Sequence, residues 1–148
     1  IESMLRESRI ARICTHNKDG TIHAMPVAYR YINDQILIIS IAKSRKNRNI
    51  ERNNDVTVLI DTPNPLRGIL IYGKAEIEYD NFFEQAVSVL EGAMEMRDMP
   101  KDKLQHITKA YLDAFKSVIV KINPKHIITF DYSKDEAWNK FLKTYIQK

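Results

Sequence analysis

The fold is decided by one stretch, ILIISIAKSRKNRNIERNNDVTVLID, which occupies residues 36–61. Its first part, Ile36–Ile41, is apolar except for Ser40 and is too short for a helix, so it predicts a strand buried on both faces. Val56–Ile60 repeats this pattern and predicts a second buried strand. The segment between the two strands is basic and polar, and it predicts a short helix that connects them.

The start of this helix has the features of an anion site. Ser44 stands where an N-cap residue is expected, and Arg45, Lys46 and Arg48 follow it. A helix N-terminus exposes unpaired backbone N–H groups and carries a positive partial charge, so it attracts anions. Cationic side chains in that first turn are favourable only if an anion binds there. The sequence therefore predicts that a phosphate docks between Ser44 and Asn49.

Two other interpretations of the basic helix remain open at this point. Arg45, Arg48, Asn49 and Arg52 are predicted to share one helical face, and a solvated basic surface would have the same pattern. A nucleic-acid contact is a weaker alternative, because the run is short and Glu51 interrupts it. The formal net charge of +4 permits an anionic ligand without requiring a nucleic acid.

Short strands joined by turns surround the central stretch. Strands are predicted at Arg9–His16 and Thr21–Tyr31, and the turn Asn17–Gly20 joins them because an Asp-Gly pair tolerates positive φ. Together with Ile36–Ile41, these strands form a meander, which is typical of antiparallel sheets.

Two further strands are predicted beyond residue 61. One is Gly68–Glu78, in which Gly73 suits a β-bulge, and the other begins at Val118 and turns at Asn123-Pro124 before its continuation. With no linker or repeat, we expect one domain over residues 1–148, mainly β with helices (α+β).

Helical periodicity appears in three further segments of the sequence. The first is capped by Asp80, and its apolar side consists of Phe82, Phe83, Ala86, Val87, Leu90 and Met94. The second is Lys101–Phe115, with inward positions Leu104, Ile107, Ala110, Tyr111 and Phe115. The third is Asp135–Ile146, with an apolar side of Ala137, Trp138, Phe141, Leu142 and Tyr145.

Composition and motifs exclude several classes of function. One cysteine allows neither an internal disulfide nor a multi-cysteine zinc site, and the four scattered histidines predict no metal centre. No Gly-x-Ser-x-Gly elbow and no glycine-rich phosphate loop are present. No apolar run approaches the ~18 residues of a membrane span, and no signal peptide is evident, so we expect a cytoplasmic protein without membrane contact.

Three segments together carry a resemblance to a known family. They are HAMPVAYRY at residues 23–31, the central stretch at residues 36–61, and RGILIYGKAEIE at residues 67–78. In this order they resemble the pyridoxamine 5′-phosphate oxidase-like, flavin-binding split-barrel family. The resemblance implies a six-stranded antiparallel Greek-key split β-barrel that forms a homodimer, with one FMN in each of two clefts at the subunit interface.

The resemblance also implies roles for individual residues. Arg45 and Lys46 match the phosphate ligands, with Asn49 in support, and Ser40 with Ile39 matches the strand beside the ribityl chain or the ring. Arg67 and Gly68 open a strand that reaches the flavin of the partner subunit. The complete set expected to bind cofactor is Met25, Pro26, Val27, Ala28, Ile39, Ser40, Ser44, Arg45, Lys46, Asn49, Arg67 and Gly68.

Departures from the family narrow the expected activity. Ala24 stands where the oxidase itself has a phosphate-binding arginine, and the C-terminal segment lacks the Arg-x-His signature that holds pyridoxamine phosphate. We therefore expect an FMN-dependent oxidoreductase that is not the true pyridoxamine phosphate oxidase and that takes electrons from a nicotinamide donor. Alternatives are a deazaflavin-dependent reductase and a non-catalytic flavin or haem carrier. No residue is assigned as catalytic, and no nucleic-acid partner is expected.

Overall fold

The computed structural model describes residues 2–63, 66–92 and 96–147. Its strands are β1 (Ile10–His16), β2 (Ile22–Ile32), β3 (Gln35–Ile41), β4 (Asp55–Pro63), β5 (Leu66–Glu78) and β6 (Ser117–Asp131). Its helices are α1 (Glu2–Glu7), α2 (Arg45–Arg52), α3 (Phe83–Glu91), α4 (Lys101–Phe115) and α5 (Glu136–Phe141). In the described part of the chain, no helix combines the length and the apolar character that crossing a membrane requires.

The six strands form a closed antiparallel barrel in the order β1-β2-β3-β6-β5-β4. Two meanders, β1–β3 and β4–β6, are joined through α2. The barrel closes because β4 pairs with β1 and β6 pairs with β3. The expected six-stranded antiparallel barrel of α+β class is therefore confirmed.

Alternate residues of each strand fill the barrel interior. In β4, for example, Val56, Val58 and Ile60 are buried while Thr57 and Leu59 are half-buried. β3 is buried on both faces from Ile36 to Ile38, as expected, but not to the end of the predicted strand, because Ile39 is half-buried and Ile41 is exposed. Its outward residues are covered because Leu37 joins Ala86, Val89 and Ile119 in a second apolar cluster, formed where α3 packs on β3 and β6.

The details of α3 and α4 differ from the expectation. Asp80 is not an N-cap: Asn81 takes a left-handed conformation (φ 55), and Phe82 precedes the first helical residue without a capping side chain. In α4 the expected inward residues Ala110 and Phe115 are exposed. Met94 lies outside the described residues.

Asn123-Pro124 does not turn the chain, because β6 runs unbroken through both residues. The pairing register shifts instead at this level: Tyr72 pairs with His126 and Gly73 with Pro124, so the extra residue, Lys125, lies on β6 opposite the glycine at which a bulge was expected. A Cβ at Gly73 would stand 2.6 Å from the Asn123 carbonyl oxygen. The close approach of the two backbones therefore requires glycine at this position. With glycine there, β6 continues through the proline as one strand.

Candidate functional site

The barrel is closed, but the ladder between β2 and β3 is short on the side where α2 begins. The ladder between these strands runs from Ile32 and Gln35 only as far as Tyr29 and Ile38. Residues 25–28 pair with β1, and residues 39–41 pair with β6, so the two strands diverge beyond this point. We call the region between these unpaired edges the cleft; the expected flavin-binding segments of β2 and β3 border it. Because α2 follows β3 after a three-residue turn, its first residues lie at the base of the same cleft.

Hydrogen bonds hold the start of α2 against β3. The Ser44 hydroxyl accepts from the Asn47 backbone N–H at 3.3 Å, which confirms Ser44 as the N-cap. The Ser40 hydroxyl is buried and donates to the Asn47 side-chain oxygen at 2.6 Å. The Ser40 and Ser44 hydroxyl oxygens are 3.5 Å apart. Both serines therefore face the helix start at the base of the cleft.

Lys46 is the unusual charge of this site. Its side chain is 8% exposed, and burial lowers the pKa of its ammonium group. Among the described residues, the three ion pairs of the chain do not include it. Partial loss of hydration disfavours the charged form of an ammonium group that has no compensating anion. An anion bound at the start of α2 would supply the missing charge.

The residue that follows Lys46 carries an unsatisfied polar group. The side-chain nitrogen of Asn47 is fully buried, and it has no hydrogen-bond partner among the described residues. Buried polar atoms of this kind are uncommon in folded proteins and call for an acceptor such as a ligand oxygen or a water. The base of the cleft therefore has donors in excess of acceptors, which fits a phosphate group.

Arg45 is exposed and lies at the mouth of the cleft, near the turn between β1 and β2. The pKa of Asp19 in that turn is lowered mainly by hydrogen bonds from Thr21, with Arg45 adding a smaller electrostatic contribution. The guanidinium of Arg45 therefore lies within electrostatic range of this turn and is open to solvent and to a ligand.

Asn49 has a structural role within the chain. Its side-chain nitrogen donates to the Thr15 hydroxyl at 3.0 Å and to the Asn17 side-chain oxygen at 2.9 Å, while its oxygen accepts from Arg52 at 3.0 Å. It is 3% exposed, whereas Arg45 and Arg52 are exposed. The basic face expected for α2 is therefore divided: the arginines face solvent and Asn49 faces the barrel.

The expected residues of β2 and β3 border the cleft in different ways. Met25 lies opposite the fully buried Ile13, yet it is 45% exposed, because β3 has diverged from β2 at this level. Val27 is half-buried, while Pro26 and Ala28 are exposed on the alternate face. Ile39 is half-buried against the apolar cluster under α3.

Arg67 and Gly68 lie far along β5 from the point at which the chain after α2 contacts this strand. They begin β5, whereas the chain after α2 contacts β5 at Ala75, whose N–H donates to the Asn54 carbonyl. Seven residues of strand separate Gly68 from Ala75, a distance of roughly 23 Å at ~3.3 Å per residue. Arg67 and Gly68 line a separate cavity of about 670 Å³. A Cβ at Gly68 would stand 2.5 Å from the Phe130 ring, so its own chain already explains this glycine.

Asn47 and Thr15 were not singled out from the sequence. Asn47 accepts a hydrogen bond from Ser40, and Thr15 accepts one from Asn49. Asn47 follows the N-cap Ser44 by three residues, a spacing at which a polar side chain folds back toward the cap. Thr15 is a polar residue at an inward position of an alternating strand, and burial at 1% exposure requires a partner for its hydroxyl. Both signals were present in the sequence.

Comparison with known proteins identifies relatives of this architecture. The sequence model of the family described as pyridoxamine 5′-phosphate oxidase matches residues 1–131. The crystal structure of the conserved hypothetical protein Rv2991 from Mycobacterium tuberculosis is 27% identical, covers 88% of this chain and 81% of its own, and has a TM-score of 0.75.

Two more distant structures share the fold. One named F420 reductase is 20% identical, with coverage of 86% and 94% and a TM-score of 0.64. A FAD-binding protein from Mesorhizobium loti is 19% identical, with coverage of 86% and 89% and a TM-score of 0.60. No curated protein matches the sequence. Because the family match extends over most of the sequence, the chain belongs to the pyridoxamine 5′-phosphate oxidase-like family.

Proposed function

We propose that the protein is an FMN-binding oxidoreductase that holds the cofactor phosphate at the start of α2. The buried charge of Lys46 carries this proposal, because it is an ammonium group that burial destabilises and that a phosphate would stabilise. Arg45 at the mouth of the cleft adds a second cation that can close on the phosphate from the solvent side.

The remaining residues of the cleft fit the rest of the cofactor. The Ser40 hydroxyl already donates its proton to Asn47, so its free lone pairs can accept from a ribityl hydroxyl. The exposed Met25 and its neighbours in β2 offer a strand against which a flat ring can lie. Bound flavin would supply the hydride or electron transfer, while the chain binds and orients it.

A second copy of the chain completes the site in this proposal. Gly68 lies roughly 23 Å along β5 from Ala75, which contacts the chain after α2, so in this proposal Arg67 and Gly68 act on the flavin of the other subunit. A homodimer with FMN at the interface would let Arg67 of the second copy reach it. A nicotinamide coenzyme is the electron donor that we propose for turnover.

A deazaflavin-dependent reductase is the second candidate. The solved structure named F420 reductase supports it, since that fold covers 86% of this chain. Both coenzymes carry a phosphate that the start of α2 can hold, so the choice depends on the ring. A flavin or haem carrier without turnover is the third candidate, and activity measurements distinguish it.

The absorption spectrum of the purified protein tests the proposal first. FMN binding should give a flavin spectrum, and titration of the flavin-free protein should quench FMN fluorescence with saturation. Lys46→Met should weaken FMN at least tenfold, because it removes a charged hydrogen bond of about 1.5–3 kcal/mol. Arg48→Ala is the matched control, since Arg48 is an exposed cation on the same helix.

Three outcomes would redirect the proposal. A colourless protein that takes up no FMN but binds a deazaflavin coenzyme would favour the second candidate. FMN binding without oxidation of NADPH in the presence of an electron acceptor would favour a carrier. Equal losses in Lys46→Met and Arg48→Ala would contradict a specific phosphate site at Lys46.

A further inference from the structure

The last described residues form an aromatic segment whose first turn contacts β5 and whose helical part has no buried residue. Residues 132–146, here called the C-terminal arm, comprise a 3-10 turn, α5 and a final π-helical turn. No residue in these three elements is buried. Trp138, Phe141 and Tyr145 are 44%, 47% and 66% exposed, and their rings stack in succession at centroid distances of 5.7 and 5.1 Å.

Hydrogen bonds at the base of the C-terminal arm fix its direction. Asp131, the last residue of β6, accepts from the backbone N–H of Ser133, and Asp135 caps α5 by accepting from the Trp138 N–H at 2.7 Å. The Asn139 side chain donates to the Ser133 carbonyl at 2.8 Å. The arm is thus a defined helix held at its root, while its aromatic stripe lacks a partner among the described residues.

A second unpartnered apolar surface lies on the outside of the barrel. Val58, Ile60, Ile69 and Ile71 point inward and are at most 1% exposed, so the alternate residues between them point outward. The pairing registers align Leu59 with Leu70, and Leu70 with Ile128. We call this surface the outer patch, and its members are Leu59, Leu70, Tyr72 and Ile128.

The outer patch is open and bordered by charge. Tyr72 is 43% and Ile128 is 41% exposed, and Leu59 and Leu70 are half-buried. Arg12 pairs in register with Leu59 and forms an ion pair with Asp61 at the edge of the patch. An apolar centre beside a polar rim is the usual arrangement of a protein interface.

The size of the two surfaces indicates the occupant. An aromatic side chain buries ~150–250 Å² on complete burial, so three rings that are half exposed present on the order of 300 Å². Arm and outer patch together expose on the order of 600 Å², which approaches the ~800 Å² per partner of a standard interface. One chain thus carries two apolar surfaces of similar size, neither of which is covered.

We propose that the C-terminal arm of each subunit docks on the outer patch of a second copy of the chain. A two-fold axis satisfies both surfaces of both subunits at once, because arm meets patch twice in such a dimer. The stripe Trp138–Phe141–Tyr145 then lies against Leu70 and Ile128 of the second copy. Lys140 and Lys143, on the other side of the arm, stay in solvent. The inference rests on the proposed dimer but not on the flavin.

Trp138 is the only tryptophan of the chain and reports directly on this contact. Docking should shift its emission to shorter wavelength as the protein concentration rises through the dissociation constant of the dimer. Sedimentation over the same concentrations should show monomer converting to dimer. An arm that instead folds back on its own barrel would give emission independent of concentration, and this result would overturn the proposal.

A variant pair separates the arm from dimerisation by other surfaces. Phe141→Ser/Tyr145→Ser retains Trp138 and should weaken the dimer at least tenfold, whereas Lys140→Ser/Lys143→Ser should leave it unchanged. An unchanged dimer in the aromatic variant would refute docking by the arm while leaving the proposed dimer intact. Circular dichroism checks that the barrel remains folded. FMN titration measured separately decides the proposed function, so the two failures are distinguishable.

Discussion

Replacement of Asn49 by alanine tests how α2 is fixed to the barrel. The substitution removes three hydrogen bonds, to Thr15, Asn17 and Arg52, and leaves the buried Thr15 hydroxyl without its donor. At about 1 kcal/mol for each bond, we expect a loss of about 3 kcal/mol in the free energy of unfolding. A loss of this size is large for one polar side chain, since most domains are stable by only ~5–15 kcal/mol.

Urea unfolding followed by circular dichroism measures this loss, and Arg48→Ala is the control. Arg48 is exposed on the same helix, so its replacement should change the free energy of unfolding by less than about 0.5 kcal/mol. A loss below about 1 kcal/mol in Asn49→Ala would refute the structural role of Asn49. If FMN affinity fell while stability did not, Asn49 would be a phosphate ligand, as the resemblance implied.

The other predictions concern packing, burial and pH. Gly68→Ala should destabilise the protein by about 1–3 kcal/mol in urea unfolding, because its Cβ would stand 2.5 Å from the Phe130 ring; unchanged stability would contradict this packing. Tyr29→Phe should lower the free energy of unfolding by about 1 kcal/mol and speed hydrogen exchange in α1, because the Tyr29 hydroxyl donates to the Leu5 carbonyl at 2.9 Å. Unchanged exchange would show that this hydrogen bond does not hold α1 on the barrel. Burial lowers the pKa of Lys46 from 10.5 in the folded protein. The unfolded chain therefore binds more protons, and the free energy of unfolding should rise with pH between the lowered pKa and 10.5. Lys46→Met should reduce this dependence of the free energy of unfolding on pH. An unaltered pH dependence would contradict the pKa shift of Lys46.

The barrel could be predicted from sequence because its signals are local. Alternation and Asp19-Gly20 located β1 and β2, and the apolar runs around α2 located β3 and β4. Asn123-Pro124 misled the prediction because a turn signal acts only where tertiary pairing permits a turn. The register shift leaves Lys125 unpaired and lets β6 continue through the proline opposite Gly73, which lies about fifty residues away in sequence.

The helices were harder to orient, since burial depends on what they meet. Ala110 and Phe115 have the period of an inward face but are exposed, whereas α4 buries Leu104, as expected, and Thr108, which was not expected. The sequence predicts the aromatic side of this last helix as apolar, but none of its residues is buried in the described part of the chain. Periodicity therefore locates a helix and its apolar side, while the partner of that side comes from the fold.

The candidate site was partly predictable for the same reason. Helix polarity and charge predict an anion site between Ser44 and Asn49, and the structure adds the burial of Lys46. The cleft itself required the registers of two ladders, because β2 and β3 separate only where each pairs with another neighbour. The helical period places Asn49 on one face with the arginines, whereas its hydrogen bond to Thr15 shows that it faces β1.

The most direct test of the phosphate site compares the affinities of FMN and riboflavin, which differ only in the phosphate. The wild-type protein should bind FMN at least a hundredfold more tightly, since two charged contacts of about 1.5 kcal/mol or more act on the phosphate. Arg45→Ala/Lys46→Met should reduce this preference to less than tenfold while leaving riboflavin affinity unchanged. If the double variant keeps the full preference for FMN, the phosphate binds elsewhere and the start of α2 is not the cofactor site.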